Sequence, residues 1–399
     1  MARSIPTSRY RNIGILASQD AGRTTTTERL LAVARQGTGT VVPRDGVPES
    51  WLGSDSVRAI TLTSAATSCE WRDARINIVE LSSVQRPAND TLISVIDGLV
   101  VVIDAATGVT PKAEAALSLA RRNGLPRVVF VNKLDLADAD LSGVMTALDA
   151  SCPAKPILLQ MPLGASLRGL VNLVDLRASI WSGGGFDAPA EDAPIPESDL
   201  AAAQLARRNV ALALGLENAE ISAVSLRAAL RKAVLAGKAS PVLCGSAFRN
   251  RGIAALLDAV VDYLPAVSEI GGLAAHDADG AAMVIVADDT QPFVGVAFRQ
   301  VAEPAQESLT FVRVYAGTVA AGTEIWNSAA SCPERIERIL RIRANEIEEI
   351  AEAQAGDVVA LVGLKRTSTG DTLCDPNVRV VLERVPMAPI PASAGHTKH

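Results

Sequence analysis

Along the first 265 residues, apolar positions follow two alternating rhythms. The runs RNIGILA (11–17), RINIVEL (75–81), GLVVVIDA (98–105), RVVFVNKLD (127–135) and PVLCGSAF (241–248) have the length and β-branched content of strands. GLVVVIDA is apolar at consecutive positions, which buries both of its faces, the pattern of a parallel sheet covered by helices. TTTTERLLAVARQ and GIAALLDAVVDYLP instead keep the helical period, the second stopped at Pro265. Thr110 before Pro111 marks another helix start, a capping hydroxyl and a first-turn proline, and Asn123-Gly124 marks its end. This alternation predicts an α/β fold over 10–265, a doubly wound, mostly parallel sheet.

The rhythm then changes. Between about 152 and 240 it loosens: WSGGGFDAPAEDAPIPESD is rich in Gly, Pro and acids and reads as a loop, with two Ala-rich helices after it. This region is expected to be an inserted subdomain. AVSEIGGLAAHDADGAA (266–282) reads as a linker. From 283 to 377, short β-type segments such as FVGVAFRQV, LTFVRVYAGTV and GDVVALVGL, separated by turn glycines, predict a small antiparallel β-barrel. Residues 378–399, with Pro386, Pro389 and Pro391, read as a flexible tail.

Composition narrows the function classes. Aromatics are only 3% of the 399 residues, so the cores must be built from Ala, Val, Leu and Ile. The longest apolar runs are too short to span a bilayer, and the basic MARSIPTSRYRN leads into no signal-type segment. No membrane is therefore expected as a partner. The net charge of −6 argues against general nucleic-acid coating, and no DNA partner is expected. Cys69, Cys152, Cys244, Cys332 and Cys374 are scattered without disulfide or zinc spacing, which reads as buried thiols in a reducing cytoplasm.

Three loops carry candidate chemistry. ASQDAGRT follows the first strand and opens the first helix, as a phosphate loop G-x-x-x-x-G-K-[ST] would, but it reads Ala17, Gly22, Arg23, Thr24. In such a loop backbone N–H groups cradle phosphates, the lysine bridges the outer ones and the hydroxyl binds Mg²⁺. NKLD, Asn132 to Asp135, stands at the end of a strand, where an aspartate can accept two N–H bonds from guanine and the Lys133 stem can pack on the base. GSAF (245–248) follows a third strand and supplies a backbone donor for the guanine oxygen. Each motif alone is weak; their order and their common place at strand ends make them strong together.

With these motifs the chain resembles bacterial elongation factor G, a translational GTPase. The resemblance rests on RNIGILASQDAGRTTTTERLL, ITLTSAATSCEW (60–71), VVFVNKLD, CGSAFRNRGIAALLDAVVDYLP and the stretch from LTFVRVYAGTV to GDTLCD. It covers about residues 10–375 and implies a P-loop GTPase domain followed by a β-barrel, with GTP or GDP and Mg²⁺ as cofactors. It implies phosphate binding by Asp20, Ala21, Gly22, Arg23, Thr24 and Thr25 beside Ala17, and Mg²⁺ ligation by Thr24 and the switch residue Thr61. It gives guanine reading to Asn132, Lys133 and Asp135, with Ser246 and Ala247 closing over the base. The family's three further domains are expected to be missing after GDTLCD.

The departures from that pattern concentrate on hydrolysis. Arg23 replaces the phosphate lysine, and a planar guanidinium cannot fill the slot of a compact ammonium without rearrangement. Ala59 replaces a glycine before Thr61. Glu80 stands where an aspartate should steady the metal. In the degenerate switch Glu80, Leu81, Ser82, Ser83, both the glycine that touches the γ-phosphate and the histidine that positions water are absent. The three histidines, His276, His396 and His399, all lie beyond the first domain, so no catalytic residue is assigned. Two classes stay open: a monomeric guanine-nucleotide-binding factor of translation, with the ribosome as candidate partner, and a non-catalytic interaction or regulatory module on the same scaffold. A functionless remnant is the third reading.

Overall fold

The computed structural model describes residues 5–18, 20–37, 66–81, 92–164, 167–182, 189–216, 221–301, 308–343 and 346–383. In the first domain, strands β1 (Tyr10–Ala17), β2 (Thr67–Trp71), β3 (Ala74–Glu80), β4 (Gly98–Asp104), β5 (Arg127–Asn132) and β6 (Lys155–Leu158) share one sheet. β1 lies between β3 and β4, parallel to both, and β5 runs parallel to β4. β2 pairs antiparallel with β3. β4 is buried from Gly98 to Asp104, as its two-sided apolar run requires.

Helices cover both faces. One core packs Val101 and Ile103 with α2 (Pro111–Arg122) and α3 (Leu141–Ser151). The other packs Val100 and Val102 with α1 (Arg23–Gly37) and, from later in the chain, α5 (Ala223–Leu235) and α6 (Ile253–Tyr263). The Thr110 side chain accepts from the amide of Ala113 and Pro111 takes the first turn, as the sequence signals. Among the described residues, no helix is long and apolar enough to cross a membrane.

The insertion holds a four-stranded antiparallel sheet, β7 (Gln160–Leu163), β8 (Gly169–Asn172), β9 (Arg177–Ile180) and β10 (Glu191–Ala193), with α4 (Glu197–Ala213) and α5. β10 falls in the stretch expected to be a loop. It is a polar edge strand, and edge strands pair through backbone without an apolar face. Arg177 reinforces it with a two-pronged bond to Asp192, at 3.1 and 2.7 Å. β6, expected within the insertion, instead runs parallel to β11 (Ala239–Cys244), which itself lies beside β5 in the main sheet.

The expected linker and tail also differ. β12 (Leu273–Asp277) pairs with β13 (Ala282–Ile285) and with Val380–Leu382, and His276 Nε2 lies 3.0 Å from Glu383 Oε1. Pairing across a hundred residues leaves no local hydrophobic period, so the sequence pattern could not signal it. Residues 384–399 lie outside the described residues. The five cysteines are free, but Cys152 and Cys332 are only partly buried.

The second domain is antiparallel. β14 (Val294–Val301) and β15 (Leu309–Ala316) form its longest pair, and Val358–Val362 and Arg338–Arg343 extend the sheet. Arg343 then pairs with Ser68 of β2, so hydrogen bonding continues from one domain into the other. The two domains also share a buried charge pair. Arg313 Nη1 and Nη2 donate to Asp97 Oδ1 and Oδ2 at 2.5 and 3.0 Å, with side chains 3% and 1% exposed. Burial drives the Asp97 carboxyl upward, and Arg313 opposes it. Tyr315 lies under the Arg313 guanidinium, and its hydroxyl donates to the Ser94 carbonyl.

Replacing Arg313 with alanine strips the buried Asp97 of its paired guanidinium, and urea denaturation should show a loss of about 3–5 kcal/mol. A loss under about 1 kcal/mol would mean that water reaches the carboxylate.

Candidate nucleotide site

Loops from the ends of β1, β3, β5 and β11 converge where β1 separates β3 from β4, the switch point at which open α/β sheets bind ligands. Asp20, Ala21 and Gly22 form the turn from β1 to α1. Asp20 has φ +61° and Gly22 φ +93°. A Cβ at Gly22 would stand 2.4 Å from Asn132 Nδ2, so both its conformation and its neighbour demand glycine. Arg23, Thr24 and Thr25 begin α1, and Ala17 ends β1.

Asn132 holds these loops together. Its Nδ2 donates to the Ala21 carbonyl at 2.9 Å, and its Oδ1 accepts from the Ala247 amide at 2.8 Å. Its own carbonyl accepts from the Ala105 amide at 2.9 Å. One residue, 2% exposed, thus joins the phosphate-type loop, the loop after β11 and the exit of β4. Ser246 accepts from the Arg249 amide at 3.1 Å, and the Leu134 amide donates to Gly245, tying the two base-side loops together. Gly245 is needed for closeness: a Cβ there would lie 2.2 Å from the Arg251 carbonyl.

Lys133 has φ +67°, and its Nζ donates to Asp104 Oδ2 at 2.7 Å. Burial works to raise the Asp104 pKa, but Lys133 and the amides of Ala106 and Thr107 hold it below the ordinary carboxylate value. Asp135 Oδ2 accepts from Arg249 Nε at 3.1 Å, with the Asp135 side chain 8% exposed. Sequence reasoning missed both partners. Signals for them existed: Asp104 is the acid closing a fully buried strand, and Arg249 directly follows GSAF with the charge opposite to Asp135.

Glu80 ends β3 and Leu81 follows it, with the Leu81 amide donating to the Ile15 carbonyl at 3.1 Å. Arg23 turns toward both. Its Nη1 donates to the Leu81 carbonyl at 2.7 Å, and its Nε lies 3.5 Å from Glu80 Oε2. Thr61, Ser82 and Ser83 lie outside the described residues, so the expected second metal ligand and half of the switch are not among the residues brought together. The Glu80 carboxylate has Arg23 Nε 3.5 Å away, so a metal steadied there would share it with a cation.

A doubly wound sheet with a glycine turn opening α1, an asparagine clasp after β5 and a Gly-Ser-Ala-Phe turn after β11 defines a G domain, here followed by an antiparallel β domain. The family model of the elongation factor Tu GTP-binding domain matches residues 8–266, and that of elongation factor Tu domain 2 matches 308–374. The chain belongs to the elongation factor Tu GTP-binding-domain family, and within the translational GTPases it is of the elongation factor G type. The elongation factor G proteins of Anaplasma marginale strains Florida and St. Maries are each 40% identical to it over 401 residues. Each alignment covers 95% of this chain and 57% of the relative, so the chain spans a little over half of their length. A crystal structure from Thermus thermophilus, 21% identical, shares the fold with a TM-score of 0.73, covering 96% of this chain and 56% of that one.

Because the Asp104 pKa is lowered by folding, its stabilisation is present above the unfolded carboxylate value and lost as pH falls through the folded one. Asp104→Asn should therefore cost about 1–3 kcal/mol near neutral pH, with the gap from wild type closing below about pH 4. Thermal melts across that range would read it; a gap independent of pH would remove Asp104 as the anchor of Lys133.

Proposed function

We propose that this chain is a cytoplasmic guanine-nucleotide-binding protein of translation with a degenerate hydrolytic switch. The observation that carries the reading is the Asn132 clasp, which keeps the phosphate-side and base-side loops in register. Asp135 then offers guanine an acceptor pair, while the amides of Ser246 and Ala247 already donate to the Arg251 carbonyl and to Asn132 Oδ1, so a guanine oxygen would have to take the Ala247 amide from that clasp. Family membership supports guanine nucleotide as the ligand and the ribosome as the partner.

Turnover is another matter. Phosphoryl transfer depends almost wholly on positioning and electrostatics, which an aligned water and a clamped γ-phosphate supply. The sequence from Glu80 to Ser83 contains neither the glycine nor the histidine for those tasks. Groups that stabilise developing transition-state charge are worth on the order of 10²–10³ in rate each. Arg23, drawn to Glu80 and Leu81, deepens the deficit.

The Asp135–Arg249 ion pair favours a second reading, a non-catalytic interaction module whose base site is satisfied by its own side chains. Titration calorimetry separates the two. Under the first reading GDP binds more tightly than ADP, because adenine lacks the paired N1–H and amino donors and leaves Asp135 poorly satisfied. Asp135→Asn should shift preference toward xanthosine diphosphate. Equal affinities for GDP and ADP, or no binding of either, would favour the module.

Hydrolysis should stay near background for GTP, with or without added ribosomes. Multiple turnovers at a rate ordinary for a ribosome-stimulated factor would falsify the degenerate-switch reading.

A further inference from the structure

The phosphate loop departs from its family pattern most sharply at Arg23, and the side chain is held at two points rather than left free for a phosphate. Nη1 donates to the Leu81 carbonyl at 2.7 Å, and Nε lies 3.5 Å from Glu80 Oε2. Nε is buried and finds no hydrogen-bond partner among the described residues, so its contact with Glu80 is one of charge. The Glu80 side chain is 8% exposed and that of Arg23 30%, which leaves little water to screen the pair.

A second cation lies within electrostatic range of the same carboxylate. Burial lowers the pKa of Arg299, on β14 of the second domain; Glu80 raises it in turn, and Arg23 lowers it further. The contact made at Glu80 is that of Arg23, at 3.5 Å. Magnesium demands near-octahedral oxygen ligands and gives up water reluctantly, and positive neighbours make its approach less favourable still. A guanidinium carries five N–H donors, enough to keep Leu81 and Glu80 and still donate to a phosphate oxygen.

We propose that Arg23 is a resident cation at Glu80, standing where a divalent metal would be steadied, so that this chain binds guanosine diphosphate without magnesium. The proposal rests on the guanine-nucleotide reading above. It makes a charge-conserving difference in the loop decide a cofactor requirement: a lysine would present a compact point charge to the phosphates and leave the carboxylate to the metal, whereas the longer, planar arginine covers the carboxylate.

Calorimetric titration of GDP in excess magnesium, and again in EDTA, tests it. The wild-type dissociation constant should change by less than about threefold between the two buffers. Arg23→Lys should gain metal dependence, binding GDP about tenfold or more tightly with magnesium than without. A wild type that loses about tenfold or more in EDTA would overturn the proposal, as would an Arg23→Lys variant indifferent to the metal. The pair also has a readout in the nucleotide-free protein. Glu80→Gln should lower the melting temperature by about 2 °C in wild type and leave it unchanged in an Arg23→Gln background. Equal shifts in both backgrounds would mean the side chains are not coupled and would sink the idea by themselves. If wild type binds no GDP in either buffer, the guanine reading fails, while the melting cycle still decides whether Arg23 holds Glu80.

Discussion

Two hydrogen bonds from one asparagine side chain organise the ligand-facing end of this molecule. Asn132 commits its amide to Ala21 and Ala247, at 2.9 and 2.8 Å, in a site almost closed to water. Each bond is worth only about 1 kcal/mol net, but leaving either partner bare in that site costs about 1–3 kcal/mol. The bonds constrain sequence elsewhere. Gly22 cannot carry a side chain without striking Nδ2, and the β5 end must deliver Asn132 at one height. The loop after β11 must bring an amide to it. The glycine kept in an otherwise altered phosphate loop is the one this contact needs.

Around that clasp the charges find partners within the protein. Lys133 takes Asp104, Arg249 takes Asp135 and Arg23 takes Glu80. On the proposed reading, a bound base would compete with Arg249 for a carboxylate already served. Affinity is the surplus after such exchanges, not a sum of new contacts. A site can in this way keep recognisable residues and a well-formed scaffold while its net preference for ligand falls.

Much of this was legible in the sequence. The doubly wound sheet follows from apolar runs that are buried on both faces, β4 above all, and from the Thr110–Pro111 helix start. The three loops were found because each stands at a strand's end. What escaped was non-local. β12 and its partner at Val380–Leu382 carry no apolar period of their own, and β10 is a polar edge strand without an apolar face. At the site, residue types were readable but directions were not. Nothing in the string around Arg23 says that its guanidinium turns to β3.

The Asp97–Arg313 pair has a consequence for how such a protein can diverge. Its two charges sit 216 positions apart in the chain, yet neither tolerates exposure of its partner to an apolar interior alone. A second domain exchanged for another must arrive with its own cation at that place, or Asp97 is covered without its partner. Drift in the nucleotide loops is free of that coupling. The two modules are therefore held to one another by a constraint that the loops at the strand ends do not share.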